Sequence, residues 1–478
     1  MKKNGEVEDG KRGFTLSLKS MFYIFLAFSI ILLFYFLPTP AGLTDDGKIM
    51  IGILLMSLVF WITETIPLAV TGLLIMVTQP LFGVNSPEAV FSSFGNQALF
   101  FLMGAFILTS ALEKYGLHKK IALKLLSLFD TNPKNFTLGI MFSCAFLSFI
   151  IPEHGVAVLF MTIISSILIS MKLQPKASNF GKISMLSVAY GCSIGSLGTL
   201  IGGARNPLAI GFLSNLDAPI YVGFFDWMLY SMPIVFISIP VVWFLLNLCF
   251  PIEIKDITIA KKSMSNQSTI NKKIGRQELI VIGIFVLTIS LWILFPSPEF
   301  LGLGGIAIIG SILMVLTGSI SWKDVEKTLP WGLLLVYGGA ITLGAGMQKT
   351  GAGLWIAHRL FDFSQGNPYF VIFLLIVITI FLTEVMSNVG AVALLLPIGF
   401  GISAEIPGLS PLLVTMLVAL SGGLAFMLVI ATPGNAITYS AGYYSTRDLL
   451  KVGVLANMAC ICIIFLIAII YWKGVLGI

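Results

Sequence analysis

Three ionisable side chains stand in the middle of apolar sequence. Glu153 and His154 follow Pro152 at the centre of FLSFIIPEHGVAVLFMTII (146–164), and Arg205 interrupts GTLIGGARNPLAIG (198–211). A charge at bilayer depth costs at least about 2.5 kcal/mol, so each is a functional candidate. A buried carboxylate and a buried guanidinium are both costly without partners, which makes a Glu153–Arg205 pair the expected arrangement. The guanidinium fork also suits a carboxylate or sulfate ligand, and Glu153 or His154 could instead carry a proton. Two further stretches, TEVMSNVG (383–390) and MLVIATPGNAITYS (427–440), place Thr383, Ser387, Asn388, Thr432 and Asn435 in equally apolar surroundings. Among them Thr383 and Asn388 carry oxygen donors suited to a hard cation. No nucleophile–base constellation, phosphate-binding loop or metal-ligand spacing occurs, so the chain does not read as an enzyme.

These residues need elements that hold them away from water. The chain has 478 residues, of which 57% are hydrophobic and 10% charged, and its mean hydropathy is +0.99. Soluble domains are about a quarter charged, so the fold class expected is an all-α polytopic membrane protein. Candidate spans lie at 21–37, 48–63, 67–83, 96–112, 183–200, 227–249, 279–295, 301–318, 331–347, 411–430 and 449–472. Each approaches the ~20 residues needed to cross a bilayer. Two more apolar stretches, 137–171 and 368–402, are broken near the middle and read as re-entrant hairpins. The charged start followed by an apolar run without a small-residue cleavage site reads as a retained first helix. The five cysteines suggest neither disulfides nor a metal site. Basic residues cluster in the tail 1–20 and the hydrophilic linker 251–278, which places both in the cytoplasm. The net charge of +6 is thereby explained without a nucleic-acid partner.

The chain divides into halves, 21–250 and 279–478, that repeat one another. Gly104, Ala105 and Lys114 match Gly339, Ala340 and Lys349 at a constant offset (349 − 114 = 235). The same offset lays the opening stretch over FLTEVMSNVGAVALLLPI (381–398). If the hairpins do not cross, the halves have inverted topology, the pattern of a secondary transporter with its site near the midplane. Each half then carries a broken hairpin and an unwound loop, 198–211 and 427–440, with Asn206 opposite Asn435. Gly202, Gly203 and Gly434 permit the irregular backbone, and Pro207 and Pro433 stop the helical ladder. Such backbone at membrane depth needs protein or a water-filled cavity to cover it. Its free carbonyls can hold a cation, and its helix starts can hold an anion.

The Ser-Asn hairpin in TEVMSNVGAVALLLPI, the ATPGNAI loop, WITETIPLAVTGLL (61–74) and FILTSALEKYGLHKKIAL (106–123) resemble the divalent anion/sodium symporter family. Its members carry dicarboxylates, citrate or sulfate, within a superfamily that includes arsenite permeases and sodium/proton antiporters. The resemblance runs from about residue 45 to the C-terminus. It implies about 11 transmembrane helices, two re-entrant hairpins, scaffold and transport domains, elevator-type alternating access and a homodimer in the lipid bilayer, with the surface around 67–112 as the dimer candidate. It also implies a second-half Na⁺ site at Thr383 and Asn388, the Met386 carbonyl and the carbonyls near Ala431. Ser387, Asn388, Thr432 and Pro433 would face the substrate, with Val389, Asn435, Glu153, His154, Arg205 and Asn206 around them. The first half departs from the family: Pro152-Glu153-His154 stands where Ser-Asn-Thr is expected. That leaves Ser148, Glu153 and Gly202 as an altered or lost cation site.

The function expected is secondary transport of a small divalent anion coupled to Na⁺ through the second half, in a bacterial inner membrane with the N-terminus cytoplasmic. The alternatives are a cation/proton antiporter using Glu153, or an anion-binding membrane receptor that does not transport. Glu64 in WITETIP reads as a scaffold turn residue and Glu384 as a structural one.

Overall fold

The computed structural model describes residues 17–129, 131–258, 274–295 and 300–478, the side chains of 360–363 apart. Most of the expected cytoplasmic tail and linker residues 259–273 lie outside the described residues. Before the linker come α1 (Leu18–Phe36), α2 (Asp45–Thr63), α3 (Leu68–Leu81), α4 (Pro87–Phe91), α5 (Gln97–Lys114), α6 (Leu117–Ser127), α7 (Pro133–Leu147), α8 (Glu153–Ser170), α9 (Asn179–Gly195), α10 (Arg205–Ser214) and α11 (Phe224–Cys249). After it come α12 (Arg276–Leu294), α13 (Gly302–Leu316), α14 (Trp322–Thr328), α15 (Trp331–Lys349), α16 (Ala352–Ser364), α17 (Pro368–Val385), α18 (Asn388–Glu405), α19 (Pro411–Ser421), α20 (Pro433–Ser440) and α21 (Thr446–Leu466). No strand occurs among the described residues.

Among the described residues, nine helices are long and apolar enough to cross a membrane, or ten if α14 and α15, bent by 62°, form one span. Of the spans expected from sequence, 67–83, 301–318 and 411–430 are shorter helices, α3, α13 and α19. For α19 the reason is local: the helix stops at Gly422 and the backbone then unwinds. The stretch 183–200 likewise divides into α9 and an unwound segment. α9 is buried on almost every side, which is why it lacks an amphipathic pattern.

Both broken stretches are helix–break–helix units. Pro152 has no N–H to donate and sits at the N-cap of α8. Met386 and Ser387 are extended, and Ser387 Oγ accepts the Gly390 N–H to start α18. The units pack crosswise: α8 lies against α20, and α18 lies against α10. Each hairpin therefore leans on the half-helix of the other half. A second pair of crossed contacts, α5 on α13 and α3 on α15, flanks them. Glycine permits the closest of these approaches. A methyl group built on Gly339 would lie 2.5 Å from Gly72 Cα, and one on Gly104 would lie 2.6 Å from Ala307 Cβ.

Candidate functional site

Two asparagines frame the unwound loops, and they do so identically. Asn206 Nδ2 donates to the carbonyls of Ser196 (2.8 Å) and Thr199 (2.7 Å), ten and seven residues earlier. Asn435 Nδ2 donates to those of Ala425 (3.0 Å) and Leu428 (2.9 Å), again ten and seven residues earlier. Each amide replaces part of the helical ladder that the break removes. Other loop carbonyls are taken from outside. Trp227 Nε1 donates to Leu197 O and Ser231 Oγ to Gly198 O. Tyr337 Oη, on α15, donates to Ala204 O. Tyr190 Oη on α9 donates to Phe426 O at 2.9 Å, which ties the first half to the second half's loop.

With the loops framed, both hairpin tips and both loops line one cavity of about 430 Å³. Pro152, Glu153 and His154 reach it from α8, and Ala204 and Arg205 from α10. Ser387, Asn388 and Val389 reach it from α18, and Ala431, Thr432 and Pro433 from α20. Four helices thus begin at its wall. Helix starts carry partial positive charge, which favours an anion. The size lies within the ~300–1,000 Å³ usual for small-ligand sites.

Of the expected site residues, Asn206 and Asn435 stand behind this wall, fully buried, as the frame just described. Ser148 is also fully buried and its Oγ has no hydrogen-bond partner. The opposite wall was not legible as a site in the sequence. It comprises Glu64 and Leu68, Leu102 and Phe106 of α5, and Leu333 and Val336 of α15. Glu64 ends α2 in the left-handed conformation (φ 46°), which is uncommon for a residue other than glycine, asparagine or aspartate.

The two tips differ in what they hold. In the second half, Thr383 Oγ1 lies 2.6 Å from Asn388 Oδ1 and 2.9 Å from Gly422 O. A hydroxyl has one proton, so the two acceptors share it and neither is fully satisfied. The result is a neutral, oxygen-rich cluster, which fits a hard monovalent cation. In the first half a guanidinium enters instead. Arg205 Nη1 lies 3.8 Å from Glu153 Oε1, and Nη2 donates to Ser196 Oγ at 2.8 Å. The Glu153 N–H donates to Gly202 O at 3.2 Å, tying tip to loop. These residues do not fit a sodium ion, because the cation is already part of the chain.

Glu384 has a different task from the tip residues. Its carboxylate accepts the N–H groups of Phe426 (2.7 Å), Met427 (2.9 Å) and Leu428 (2.9 Å), and Asn457 Nδ2 (2.7 Å). It clamps the unwound loop by the donors that no helix satisfies. In the first half the matching residue, Phe149, packs its ring against Gly198 instead, so closely that a methyl group there would lie 2.5 Å from the ring.

Residues 18–478 match the family described as sodium:sulfate symporter transmembrane region. The chain belongs to the sodium:sulfate symporter family. Sodium-dependent dicarboxylate transporters SdcS are among the relatives of this symporter-family chain. The protein of Staphylococcus saprophyticus is 30% identical over 92% of this chain and 89% of its own length. That of Staphylococcus aureus strain RF122 is 32% identical over 95% and 91%. Two solved structures share the fold alone. The YdaH transporter of Alcanivorax borkumensis aligns with a TM-score of 0.54 over 83% of this chain and 89% of its own, at 12% identity. MtrF of Neisseria gonorrhoeae, described among antimetabolite efflux pumps, aligns with a TM-score of 0.54 over 95% and 96%, at 14% identity. This sodium:sulfate symporter family member is a multi-pass membrane transporter, not an enzyme.

Proposed function

We propose that the protein is a Na⁺-coupled secondary transporter of a small dicarboxylate in the plasma membrane of a bacterium. Four helix N-termini meeting one cavity carry this reading, because their partial positive charge favours an anion. The names of the two staphylococcal relatives support sodium coupling and a dicarboxylate cargo. The Thr383–Asn388–Gly422 oxygen cluster would hold the ion, with the Met386 and Ala431 carbonyls beside it. Bound there, the ion would supply positive charge next to the anion. Ser387, Asn388, Thr432 and Pro433 would meet the anion, and His154 would face it from the first tip. Arg205 is buried to 1% exposure, which favours a fixed structural charge over a direct anion clamp.

The halves would be inverted repeats, with the hairpins and unwound loops moving as one body against α3, α5 and α15, as an elevator. A homodimer in the bilayer would cover the outward stripe Val70, Leu73, Val77 and Leu81 of α3, whose opposite face already packs on α15. The N-terminus would be cytoplasmic.

Uptake of radiolabelled succinate, citrate and sulfate into proteoliposomes under an inward Na⁺ gradient tests this. Succinate uptake that collapses when choline replaces Na⁺ is the expected result. Cation/proton exchange without anion flux would replace this reading with an antiporter, and ligand-induced stabilisation without flux would replace it with a receptor.

A further inference from the structure

We infer that Arg205 is a tethered cation standing where the second half binds its ion, so that each transport cycle carries one sodium ion and moves net negative charge with a divalent anion. This rests on the sodium-coupled anion reading above and specifies its coupling.

Three observations carry it. The first is the repeated frame. Counted from Asn206 and Asn435, whose amides reach back by the same ten and seven residues, Arg205 stands opposite Gly434, and the hairpin repeat sets Glu153 opposite Asn388. Both differences add a charge to the first half, of opposite sign, and both fall at the tip and its loop. The two charges are 3.8 Å apart.

The second is space. A methyl group on Gly203 would lie 2.7 Å from Arg205 Nη1, and one on Gly423 would lie 2.1 Å from Nη2. The guanidinium fills a slot between a glycine of each half, and Ser196 Oγ holds it from a third side. Neither a methyl group nor a sodium ion can share that volume. Gly423 adjoins Gly422, whose carbonyl belongs to the second-half oxygen cluster.

The third is the residual valence. Glu153 Oε2 and Arg205 Nε have no hydrogen-bond partner. The pair is held by charge and enclosure and not by a closed hydrogen-bond network.

A tethered cation cannot be left behind on either side of the membrane. Glu153 and Arg205 together add no charge to the moving body. The cargo then consists of a divalent anion and one sodium ion, with one net negative charge. An inside-negative potential opposes its entry, so uptake relies on the Na⁺ and anion gradients, and exchange of one anion for another is unaffected by the potential.

The test uses the full-length protein with succinate at a pH where it is divalent. Two readouts are taken: Na⁺-dependent thermal stabilisation without anion, and Na⁺-driven uptake with potassium–valinomycin potentials of either sign. In the wild type the Na⁺ titration is expected to have a Hill slope near one, and an inside-negative potential is expected to slow uptake several-fold. The double variant Glu153→Asn/Arg205→Gly copies the second half's pattern. Its slope is expected to rise above one and its uptake to lose sensitivity to potential. A wild-type slope of two or more, or uptake accelerated by an inside-negative potential, overturns the inference and leaves sodium-coupled transport intact. Binding and uptake both indifferent to Na⁺ overturn the coupling itself. The wild-type measurements decide even if the double variant does not fold.

Discussion

Replacing Glu384 by glutamine should loosen the second-half loop without unfolding the protein. The carboxylate accepts four hydrogen bonds: three at Oε1, from Phe426, Met427 and Asn457, and one at Oε2, from Leu428. A glutamine that keeps its oxygen at the Oε1 position retains the first three. Its amide nitrogen then faces the Leu428 N–H, donor against donor. One hydrogen bond to a charged acceptor is lost, worth about 1.5–3 kcal/mol. Alanine would strand three backbone N–H groups at about 1–3 kcal/mol each, much of the 5–15 kcal/mol by which ordinary domains are stable. Glutamine is therefore the informative change. Leu428 is also the residue whose carbonyl Asn435 holds, and Ala431 follows it, so the displacement should reach the oxygens around the ion. The expected outcome is a lower Tm and an apparent Na⁺ affinity reduced about tenfold, equivalent to about 1.4 kcal/mol. The assay is thermal unfolding in mild detergent with NaCl titrated against choline chloride. A lower Tm with an unchanged Na⁺ midpoint would confine Glu384 to stability. If neither moves, the clamp does not matter energetically and the reasoning fails.

Other changes bear on the same architecture. Asn388→Ala and Thr383→Val each remove an oxygen from the cluster and should abolish stabilisation by Na⁺; stabilisation at the wild-type midpoint would mean the ion sits elsewhere. Gly423→Ala places a methyl group 2.1 Å from the Arg205 guanidinium; a sharp loss of Tm is expected, and a neutral result would show that the guanidinium has room to move. Glu153→Gln and Arg205→Gln should each cost about 3–5 kcal/mol by leaving a buried charge unpaired, with the double change milder than their sum in a thermal-unfolding cycle; strict additivity would mean the pair does not interact. Asn206→Ala and Asn435→Ala each deprive two carbonyls of a donor and should destabilise similarly, by about 1–3 kcal/mol; a large inequality in Tm would show that the frames are not equivalent.

Sequence reveals these features unevenly. Long apolar helices such as α11 and α21 stand out because hydropathy follows lipid contact. α9 stands out less because protein surrounds it, and it is rich in glycine and serine. The tips are visible because Pro152, Glu153 and Asn388 are anomalous where they stand. Glu384 is equally anomalous, yet its role depends on three N–H groups more than forty residues away, which no local pattern encodes. Gly423 is one of many glycines, and only the guanidinium beside it makes it singular. Glu64 belongs to the cavity through the packing of α2 and α3, and the left-handed turn that aims it is not a residue preference of glutamate. Ser196 gives no signal of its own, because a serine in a glycine-rich stretch is ordinary until an arginine reaches it.

The asparagine frame bears on how such a carrier changes over time. In each half one amide, reaching ten and seven residues back, keeps the backbone open whatever side chains occupy the opening. Shape and contents are thus inherited separately. A lineage can exchange a diffusible ion for a resident charge by altering the contents alone, provided both members of the new pair arrive with a glycine to receive them. The intermediate, carrying only one of the two charges, is the disfavoured step. Coupling in such proteins should accordingly switch in jumps rather than drift, with the fold indifferent to which state it is in.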